Sequence, residues 1–368
     1  MKKLIIVAPG AETLINFREN LIKDIRKKNY KIKTISQVPS KKYSALLKKK
    51  KIENISLNFK NNSLNFFQDF IAFIKLLKIF KKEKPEIVLA YSIKPIIWSG
   101  LIANIYKNNY YALVTGLGYS FQETSIKRKI LKKFVIFLYK MALKKSKAVI
   151  FQNRDNLNYF VKKGIIPKSK SNLVNGSGVD ISKFKLKKFP KKKITFLCIS
   201  RILREKGLIE YASAAKIVKK KFPNVQFELI GALDTSKDAI SLHEVKSWSN
   251  YINYNGHTID VRPFIKNAHI FVLPSYHEGI PKSTLEAMAM GRPILTTNAV
   301  GCKETVKNNF NGFKVPVGSV DKLVEKIIWF IENPKQIQAM GLKSQHIALE
   351  RFDVNKVNLK ILKIMRLI

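Results

Sequence analysis

Two glutamates, Glu278 and Glu286, have the side chains and the spacing to bind one polar ligand together. They stand eight residues apart around a Gly-Ile-Pro turn, in the segment YHEGIPKSTLEAMAMGRPILTT at 276–297. The turn predicts a helix that begins just after Pro281, with Glu278 on the loop before it and Glu286 on its second turn. Carboxylates suit sugar or ribose hydroxyls, and N–H groups at a helix start attract phosphate. The pattern predicts a nucleotide-sugar site, against the alternative of two solvated surface charges.

The flanking segments place these carboxylates at the edge of a sheet. HIFVLPS at 269–275 is typical of a buried strand, and a Gly-Arg-Pro turn leads into a second strand at 294–297. The unit is therefore strand, loop, helix, strand. Its polar residues follow the carboxyl end of a strand, which is where open α/β sheets bind ligands.

The same segment resembles the signature of family 4 of the retaining glycosyltransferases, whose E-x7-E pattern stands here as EGIPKSTLE. Further segments stand in the family's order and extend the resemblance over nearly the whole chain: VAPGAETLINFR (7–18), NGSGVD (175–180), SRILREKGL (200–208), FELIG (227–231), NGH (255–257) and NGFKVP (311–316). The resemblance implies the α/β GT-B fold, with two Rossmann-like doubly wound domains facing a cleft. Within the family, YSIKP (91–95) and TGLGYSF (115–121) are similar to bacterial transferases that extend undecaprenyl-diphosphate-linked sugars, including those that add N-acetylgalactosamine.

The resemblance also assigns the donor site. It implies that Glu278 is the catalytic-site residue that contacts the donor sugar, and that Glu286 contacts the ribose. It implies that Arg201 and Lys206, which follow a predicted strand, hold the donor diphosphate; without it, both would be read as solvent-facing charges. The remaining donor contacts are expected at Gly279, Ile280, Pro281, Lys282 and Gly10.

A departing nucleoside diphosphate carries negative charge that a metal ion or fixed cations must stabilise. The sequence contains no Asp-x-Asp motif, and Arg201 and Lys206 can supply the charge, so we expect no metal and no cofactor. Retention of configuration is implied by the family. No residue shows itself as a covalent nucleophile, which favours a front-face reaction in which Glu278 orients the sugar and the leaving phosphate accepts the acceptor's proton.

Acceptor contacts are expected in the first half of the chain, where a glycine turn opens the first helix. The candidates are Arg18, Lys94, Gly116 and Gly118. Many family members carry a first-domain histidine that faces the donor sugar, but this chain has its histidines only at positions 243, 257, 269, 277 and 346, so that role has no counterpart. We expect His277 to be structural, because neighbours on an extended segment point to opposite sides. His269 stands where the family commonly has an acidic residue.

Apolar runs alternate with helical patterns along the chain, as two parallel sheets require. Strands are predicted at 4–8, 87–90, 111–115, 148–151, 194–200, 225–231, 251–255, 270–274 and 294–297, and helices at 15–28 and 354–368. The predicted domains are an acceptor-side domain at 1–181, a linker at 182–193 and a nucleotide-sugar domain at 194–352. By resemblance, the segment 353–368 returns to the first domain.

The composition is that of a folded enzyme. Hydrophobic residues make up 46% of the 368 residues, which excludes a disordered chain and allows two cores of ordinary size. The two cysteines, Cys198 and Cys302, are too few for a disulfide framework and lack metal-site spacing. We expect both to be reduced structural thiols.

The charge indicates an anionic partner. The chain carries a formal net charge of +44, of which residues 1–190 carry +31. Amphipathic, lysine-rich patterns at 63–84 and 125–147 suit the surface of an anionic membrane. Nucleic acid is the rival partner, but zinc-finger spacing and an RNA-binding aromatic signature are missing from the sequence, so we expect none. With no recognisable signal peptide or spanning segment, the expected location is the cytoplasmic face of the plasma membrane.

The leading hypothesis is a transferase that moves a sugar, an N-acetylhexosamine by resemblance, from a UDP-sugar to an undecaprenyl-diphosphate-linked saccharide. One alternative keeps the fold and changes the chemistry to that of a UDP-sugar epimerase. Another is a non-catalytic basic protein that binds membranes or nucleic acid.

Overall fold

A computed structural model describes residues 2–57, 66–117, 126–191 and 193–368, apart from the side chains of residues 66, 67 and 127. The chain divides into two compact units. The first comprises Met1–Ser177 with Val357–Ile368, and the second comprises Gly178–Lys356. Each unit has its own sheet and its own buried apolar residues. No helix within the described ranges combines the length and the apolar composition needed to cross a membrane.

The described part of the first unit contains a parallel sheet of seven strands. Runs such as IVLAY are buried along their whole length, as a sheet covered on both faces requires. The strands are β1 (Lys3–Val7), β2 (Lys31–Ser36), β3 (Asn54–Ser56), β4 (Ile87–Tyr91), β5 (Asn109–Val114), β6 (Ala148–Phe151) and β7 (Ser171–Leu173). Their order is β3-β2-β1-β4-β5-β6-β7, so the direction of sheet growth reverses between β1 and β4.

Helices connect these strands. They are α1 (Ala11–Thr13), α2 (Glu19–Arg26), α3 (Lys41–Lys49), α4 (Phe66–Glu83), α5 (Ile93–Tyr106), α6 (Ile126–Leu143) and α7 (Arg154–Lys162), with a 3₁₀ turn at Lys168–Lys170. The single helix predicted at 15–28 is wrong in detail: a π-helical turn, Leu14–Arg18, separates α1 from α2, and α2 ends at Arg26. A 3.6-residue periodicity does not reveal the wider turn.

The described second unit has a parallel sheet of six strands. They are β8 (Thr195–Ile199), β9 (Gln226–Ile230), β10 (Asn253–Tyr254), β11 (Ile270–Leu273), β12 (Ile294–Thr297) and β13 (Gly312–Val315), in the order β10-β9-β8-β11-β12-β13. The direction in which strands are added to this sheet reverses between β8 and β11. The helices are α8 (Leu208–Lys221), α9 (Leu242–Lys246), α10 (Arg262–Asn267), α11 (Lys282–Ala289), α12 (Val320–Glu332) and α13 (Pro334–Arg351), with 3₁₀ turns at Arg204–Lys206 and Lys303–Thr305. The two sheets confirm the predicted pair of doubly wound Rossmann-like folds.

The last helix, α14 (Val354–Ile364), carries the chain from the second unit into the first. Its residues Val357 and Ile361 belong to the buried cluster that contains Leu4 and Ile6 of β1. The helix ends at Ile364, short of the predicted 368, although Met365 is also buried in this cluster. The C-terminal residues therefore complete the core of the first unit.

The segment predicted as a linker, 182–193, is attached to the second unit through Arg292. This side chain is fully buried and donates to the backbone oxygens of Lys187 at 3.0 Å and Lys188 at 3.3 Å. It also donates to the oxygens of Ile265 and Lys266 on α10. Because every one of these acceptors is a backbone carbonyl, Arg292 fixes the path of the chain.

Candidate functional site

The residues singled out in the second half meet at the switch point of the second sheet. Arg201 follows β8, and the loop that carries Glu278 follows β11, the adjacent strand on the other side of the reversal. Helices that leave neighbouring strands in opposite directions open a crevice at this position. The topology therefore accounts for the proximity of segments more than seventy residues apart.

The motif helix forms as the sequence predicts. Helix α11 begins at Lys282, after Pro281, and Glu286 lies on its second turn. Glu286 is largely buried, with 12% of its side chain exposed, and its carboxylate lies 3.8 Å from the Nζ of Lys282. Burial raises the pKa of Glu286 to about 7, although the nearby Lys282 opposes the shift. This carboxyl group changes its charge near neutral pH.

Glu278 is held in place by its side chain and its backbone. Its Oε1 accepts hydrogen bonds from the Nζ of Lys206 at 2.8 Å and from the hydroxyl of Ser275 at 3.1 Å. Its N–H donates to the oxygen of Val300 at 3.0 Å. Gly301, at φ +78°, packs so closely that a Cβ there would overlap the carbonyl oxygen of Glu278. The carboxylate is therefore fixed before any ligand arrives.

Lys206 is a largely buried cation, with 8% of the residue exposed. Burial lowers the pKa of its amine, but the carboxylates of Glu278 and Glu205 outweigh burial and raise it overall. It ends the 3₁₀ turn Arg204–Lys206, and Gly207 follows at φ +69°, against the carbonyl oxygen of Pro274. The amine stays charged at neutral pH.

Arg201 lies at the more open end of the same group of charges. It has 57% of its side chain exposed and bonds to Asp234 at 3.1 Å. It also lies 3.9 Å from Glu205, which in turn lies 3.6 Å from Lys206. An alternating array therefore runs from Arg201 through Glu205 and Lys206 to Glu278.

Sequence reasoning missed the residues that fasten this array. The backbone oxygen of Glu205 accepts from the N–H of Tyr276 at 2.9 Å, and it lies 3.1 Å from the Ser275 hydroxyl, whose single proton it shares with the Glu278 carboxylate. Asp238 accepts from the N–H of Glu205 at 2.8 Å. All three contacts join segments far apart in sequence, so local patterns give no signal for them.

The candidates of the first unit lie at several places. Gly10 precedes α1, and Arg18 is buried at the end of the π-helical turn. Lys94, near the start of α5, pairs with Asp69 at 2.8 Å, and both side chains are largely buried. Gly116 follows β5 and is partly buried, whereas Gly118 lies outside the described residues.

His269 and the two cysteines are buried. His269 accepts a hydrogen bond from the N–H of Thr195 at 3.2 Å through Nδ1, and its Nε2 lies 3.1 Å from the oxygen of Pro190. This ring therefore links the backbone at Thr195 to the backbone at Pro190. Cys198 and Cys302 are free and buried, and burial raises the pKa of each thiol to about 12, which favours the neutral form.

Residues 180–346 match the family model "Glycosyl transferases group 1", and residues 3–153 match "Glycosyl transferase 4-like". The chain is 28% identical to the N,N'-diacetylbacillosaminyl-diphospho-undecaprenol alpha-1,3-N-acetylgalactosaminyltransferase of Campylobacter jejuni, over 96% of this chain and 95% of the relative. It is 25% identical to the UDP-Gal:alpha-D-GlcNAc-diphosphoundecaprenol alpha-1,3-galactosyltransferase of Escherichia coli, over 80% of this chain and 78% of that protein.

Solved structures share the fold. The structure of Anabaena HepE in complex with UDP superposes with a TM-score of 0.79 and 18% identity, covering 100% of both chains. The fold class predicted from the sequence, GT-B, is confirmed. The model "Glycosyl transferase 4-like" matches the first unit and the model "Glycosyl transferases group 1" matches the second, and together they span most of the chain. The chain therefore belongs to the glycosyltransferases.

Proposed function

We propose that this glycosyltransferase is a retaining, metal-independent enzyme that moves an N-acetylhexosamine from a UDP-sugar to an undecaprenyl-diphosphate-linked saccharide. The observation that carries the proposal is the charge array at the switch point of the second sheet. It sets the fixed carboxylate of Glu278 and the cations Lys206 and Arg201 beside the start of α11. Such an array suits a ligand with hydroxyls at one end and a diphosphate next to them.

Each residue then has a role in the transfer. Lys206 and Arg201 stabilise the negative charge that develops on the departing diphosphate. The N-terminal dipole of α11 adds to this positive potential. Glu278 accepts hydrogen bonds from the donor sugar hydroxyls and orients the ring, and Glu286 accepts hydrogen bonds from the ribose. The leaving phosphate takes the proton of the acceptor hydroxyl as the new bond forms on the same face.

The acceptor class is supported by relatives that match most of this chain. The names of the Campylobacter jejuni and Escherichia coli enzymes both describe sugars on undecaprenyl diphosphate. We therefore place the reaction at the inner face of the plasma membrane, in the assembly of a surface glycan or a glycoprotein glycan.

The decisive experiment measures nucleotide release. Purified protein is given a panel of UDP- and GDP-sugars, with and without synthetic undecaprenyl-diphosphate saccharides and with and without EDTA. We expect release that needs one UDP-sugar and the lipid, persists in EDTA and falls at least about a hundredfold in Glu278→Ala and Arg201→Ala. Arg204→Ala is the matched control, because Arg204 begins the turn that ends at Lys206 but pairs with Glu244 at 2.7 Å.

Three results would contradict the proposal. Isomerised UDP-sugar in the absence of lipid would indicate an epimerase. Loss of release in EDTA that a divalent metal restores would reject metal independence. Unchanged nucleotide release in both variants would show that the charge array has no role in the reaction.

We further propose that helix α6 contacts the anionic membrane surface. Its buried side carries Val135 and Tyr139, whereas its other side exposes Ile126, Ile130, Phe134, Phe137 and Met141 at helical spacing. Helix α4 is divided in the same way. Phe70 and Ile74 are exposed and Phe80 is buried. The apolar residues that the sequence predicted on a single face of the helix therefore lie on two different faces. Exposed apolar side chains among lysines are typical of interfacial helices.

Vesicle flotation tests this contact. We expect the protein to float with phosphatidylglycerol vesicles and not with phosphatidylcholine vesicles, and Phe137→Asp to weaken binding at least about tenfold. Ile217→Asp, on α8 in the second unit and similarly exposed at 46% against 56% for Phe137, should bind as the unmodified protein does. Equal loss in the two variants, or tighter binding to nucleic acid than to anionic vesicles, would reject the proposed surface.

A further inference from the structure

The first sheet has a switch point of its own, and a buried cation lies there. Arg18 is 3% exposed, and its guanidinium carbon lies 5.1 Å from the ring centroid of Tyr91, the last residue of β4. The Tyr91 hydroxyl lies 2.8 Å from the hydroxyl of Thr13, on the helix that follows β1. Strands β1 and β4 are the pair between which the sheet reverses. Arg18 therefore stands where a doubly wound sheet receives ligands.

Arg18 lacks the partners that a buried guanidinium needs. Its Nε is buried without a hydrogen-bond acceptor, and Nη1 makes one long bond, 3.4 Å, to the oxygen of Phe17. The adjacent Glu19 pairs with Lys23 at 2.6 Å and Lys50 at 2.7 Å instead. Across the part of the chain that the structure describes, no acidic side chain forms an ion pair with Arg18.

A buried charge without a counter-ion is costly, so its presence requires an explanation. Burial lowers the pKa of Arg18 to about 10, and the guanidinium therefore remains charged at neutral pH. The π-helical turn Leu14–Arg18 ends at this residue, whose φ of −127° and ψ of −1° depart from helical values. Such turns frequently occur at functional sites.

We propose that Arg18 is an anion-binding residue that receives a diphosphate at the switch point of the first sheet. The planar guanidinium fork matches the paired oxygens of phosphate, and a bound diphosphate supplies the counter-charge that the fold omits. The inference rests on the proposed function, because that reaction brings two diphosphates to the enzyme, one in the nucleotide and one in the lipid-linked acceptor. The exposed Glu12, which precedes Arg18 on the same segment, places its carboxylate against Gly10.

Calorimetry with inorganic pyrophosphate tests the proposal. The parent is Arg201→Ala, so that the second-unit cations contribute less to the signal. Adding Arg18→Met should weaken pyrophosphate binding at least about tenfold. Arg26→Met is the matched control, because Arg26 lies on α2 and donates to the backbone oxygens of Lys50 and Lys51. It should leave the affinity unchanged.

Arg18→Lys guards against a variant that fails to fold, since it keeps the charge and loses the fork. It should bind pyrophosphate several-fold more weakly than the parent and melt at a similar temperature. Affinity that is unchanged in Arg18→Met overturns the proposal. A loss that occurs only together with unfolding in Arg18→Met, and is absent from Arg18→Lys, also overturns it and makes Arg18 a structural support for Tyr91.

Two further titrations identify the source of the diphosphate. If Arg18→Met weakens binding of UDP but not of geranyl diphosphate, the site receives the nucleotide; the reverse result assigns it to the lipid acceptor, and no effect on either ligand rejects the proposal. These measurements need no sugar transfer. Pyrophosphate binding that depends on Arg18 in a protein without transferase activity would therefore support the inference while the proposed function failed.

Discussion

We expect Glu286 to couple nucleotide binding to proton release. Its pKa of about 7 leaves roughly half of the molecules protonated near neutral pH. A carboxylate that accepts ribose hydroxyls is favoured in its ionised form, so binding lowers this pKa. We expect the affinity for a UDP-sugar to fall as pH decreases from about 8 to about 6, because protonation then competes with binding.

Titration calorimetry near pH 7 in two buffers of different ionisation enthalpy measures the released proton. A UDP-sugar is preferred to UDP, because its diphosphate diester does not titrate in this range. Glu286→Gln should bind more weakly and release no proton. Heats that do not depend on the buffer in the unmodified protein would show that Glu286 does not change its charge on binding.

We expect Lys206 to stabilise the fold in addition to its proposed role at the leaving group. Replacing it by Met removes the 2.8 Å partner of the Glu278 carboxylate, whose side chain is 17% exposed. Because both groups are largely buried, we expect the free energy of unfolding to fall by about 2 kcal/mol, measured with urea. Adding Glu278→Gln should restore part of this loss.

Lys322→Met is the comparison at the surface. Lys322 pairs with Glu325 at 2.8 Å, but their side chains are 59% and 46% exposed. Solvent screens such a pair, so the loss should be much smaller than at Lys206. Equal losses at Lys206 and Lys322 would mean that the buried pair contributes no more than an exposed one.

The sequence predicted the local placement of the candidate residues better than it predicted their partners. Glu278, Glu286 and the start of α11 follow from a local pattern of proline, glycine and carboxylates. The pairing of Glu278 with Lys206 spans 72 positions and depends on the strand order, which spacing does not encode. Arg292 shows the limit most clearly. An arginine is usually exposed, yet this one is fully buried among backbone oxygens.

At the scale of the elements, the loop that carries Glu278 depends on a glycine outside the motif. Gly301 has φ +78°, and a Cβ there would overlap the backbone oxygens of Glu278 and Gly279. Gly301→Ala should therefore displace the loop, lower stability by about 3 kcal/mol or more and weaken donor binding. Urea unfolding and UDP-sugar titration measure the two effects.

Gly256→Ala separates conformational strain from steric overlap. Gly256 has a similar φ, +66°, but open space where a Cβ would lie. The Gly256→Ala variant should lose only about 1 kcal/mol of unfolding free energy and keep its affinity for the donor. If both alanine variants lost the same stability and affinity, the close approach of Gly301 to the motif loop would have no special importance.

Strand positions were predictable because parallel strands are continuous apolar runs. The bounds of β6 and β12 match the prediction, and those of the other predicted strands differ by one or two residues. The prediction did not include β2, β3, β7 and β13. The π-helical turn at Leu14–Arg18 was not predictable, since its apolar residues fit an ordinary helix equally well. This turn, which the apolar periodicity does not reveal, brings Arg18 over the ring of Tyr91.

At the scale of the whole molecule, the stability of the first unit depends on α14. Ile361 is fully buried among residues of β1 and β2, so Ile361→Ala should lower the stability of this unit by about 3 kcal/mol. Hydrogen exchange should show faster exchange in β1 and β2 and little change in β8 and β9. Leu359→Ala, on the same helix but 48% exposed, should leave the exchange rates of all four strands unchanged. Uniform loss of protection across both sheets would show that the units unfold together.

The route of the chain has a consequence for biosynthesis. The second unit is one continuous segment, Gly178–Lys356, and contains its own core as soon as that segment has left the ribosome. The first unit begins earlier but closes later, because its core still lacks Val357, Ile361 and Met365. Its nascent sheet therefore lacks these core residues until the whole second unit has been synthesised. A stop codon just after position 356 would damage the half of the protein that was synthesised first.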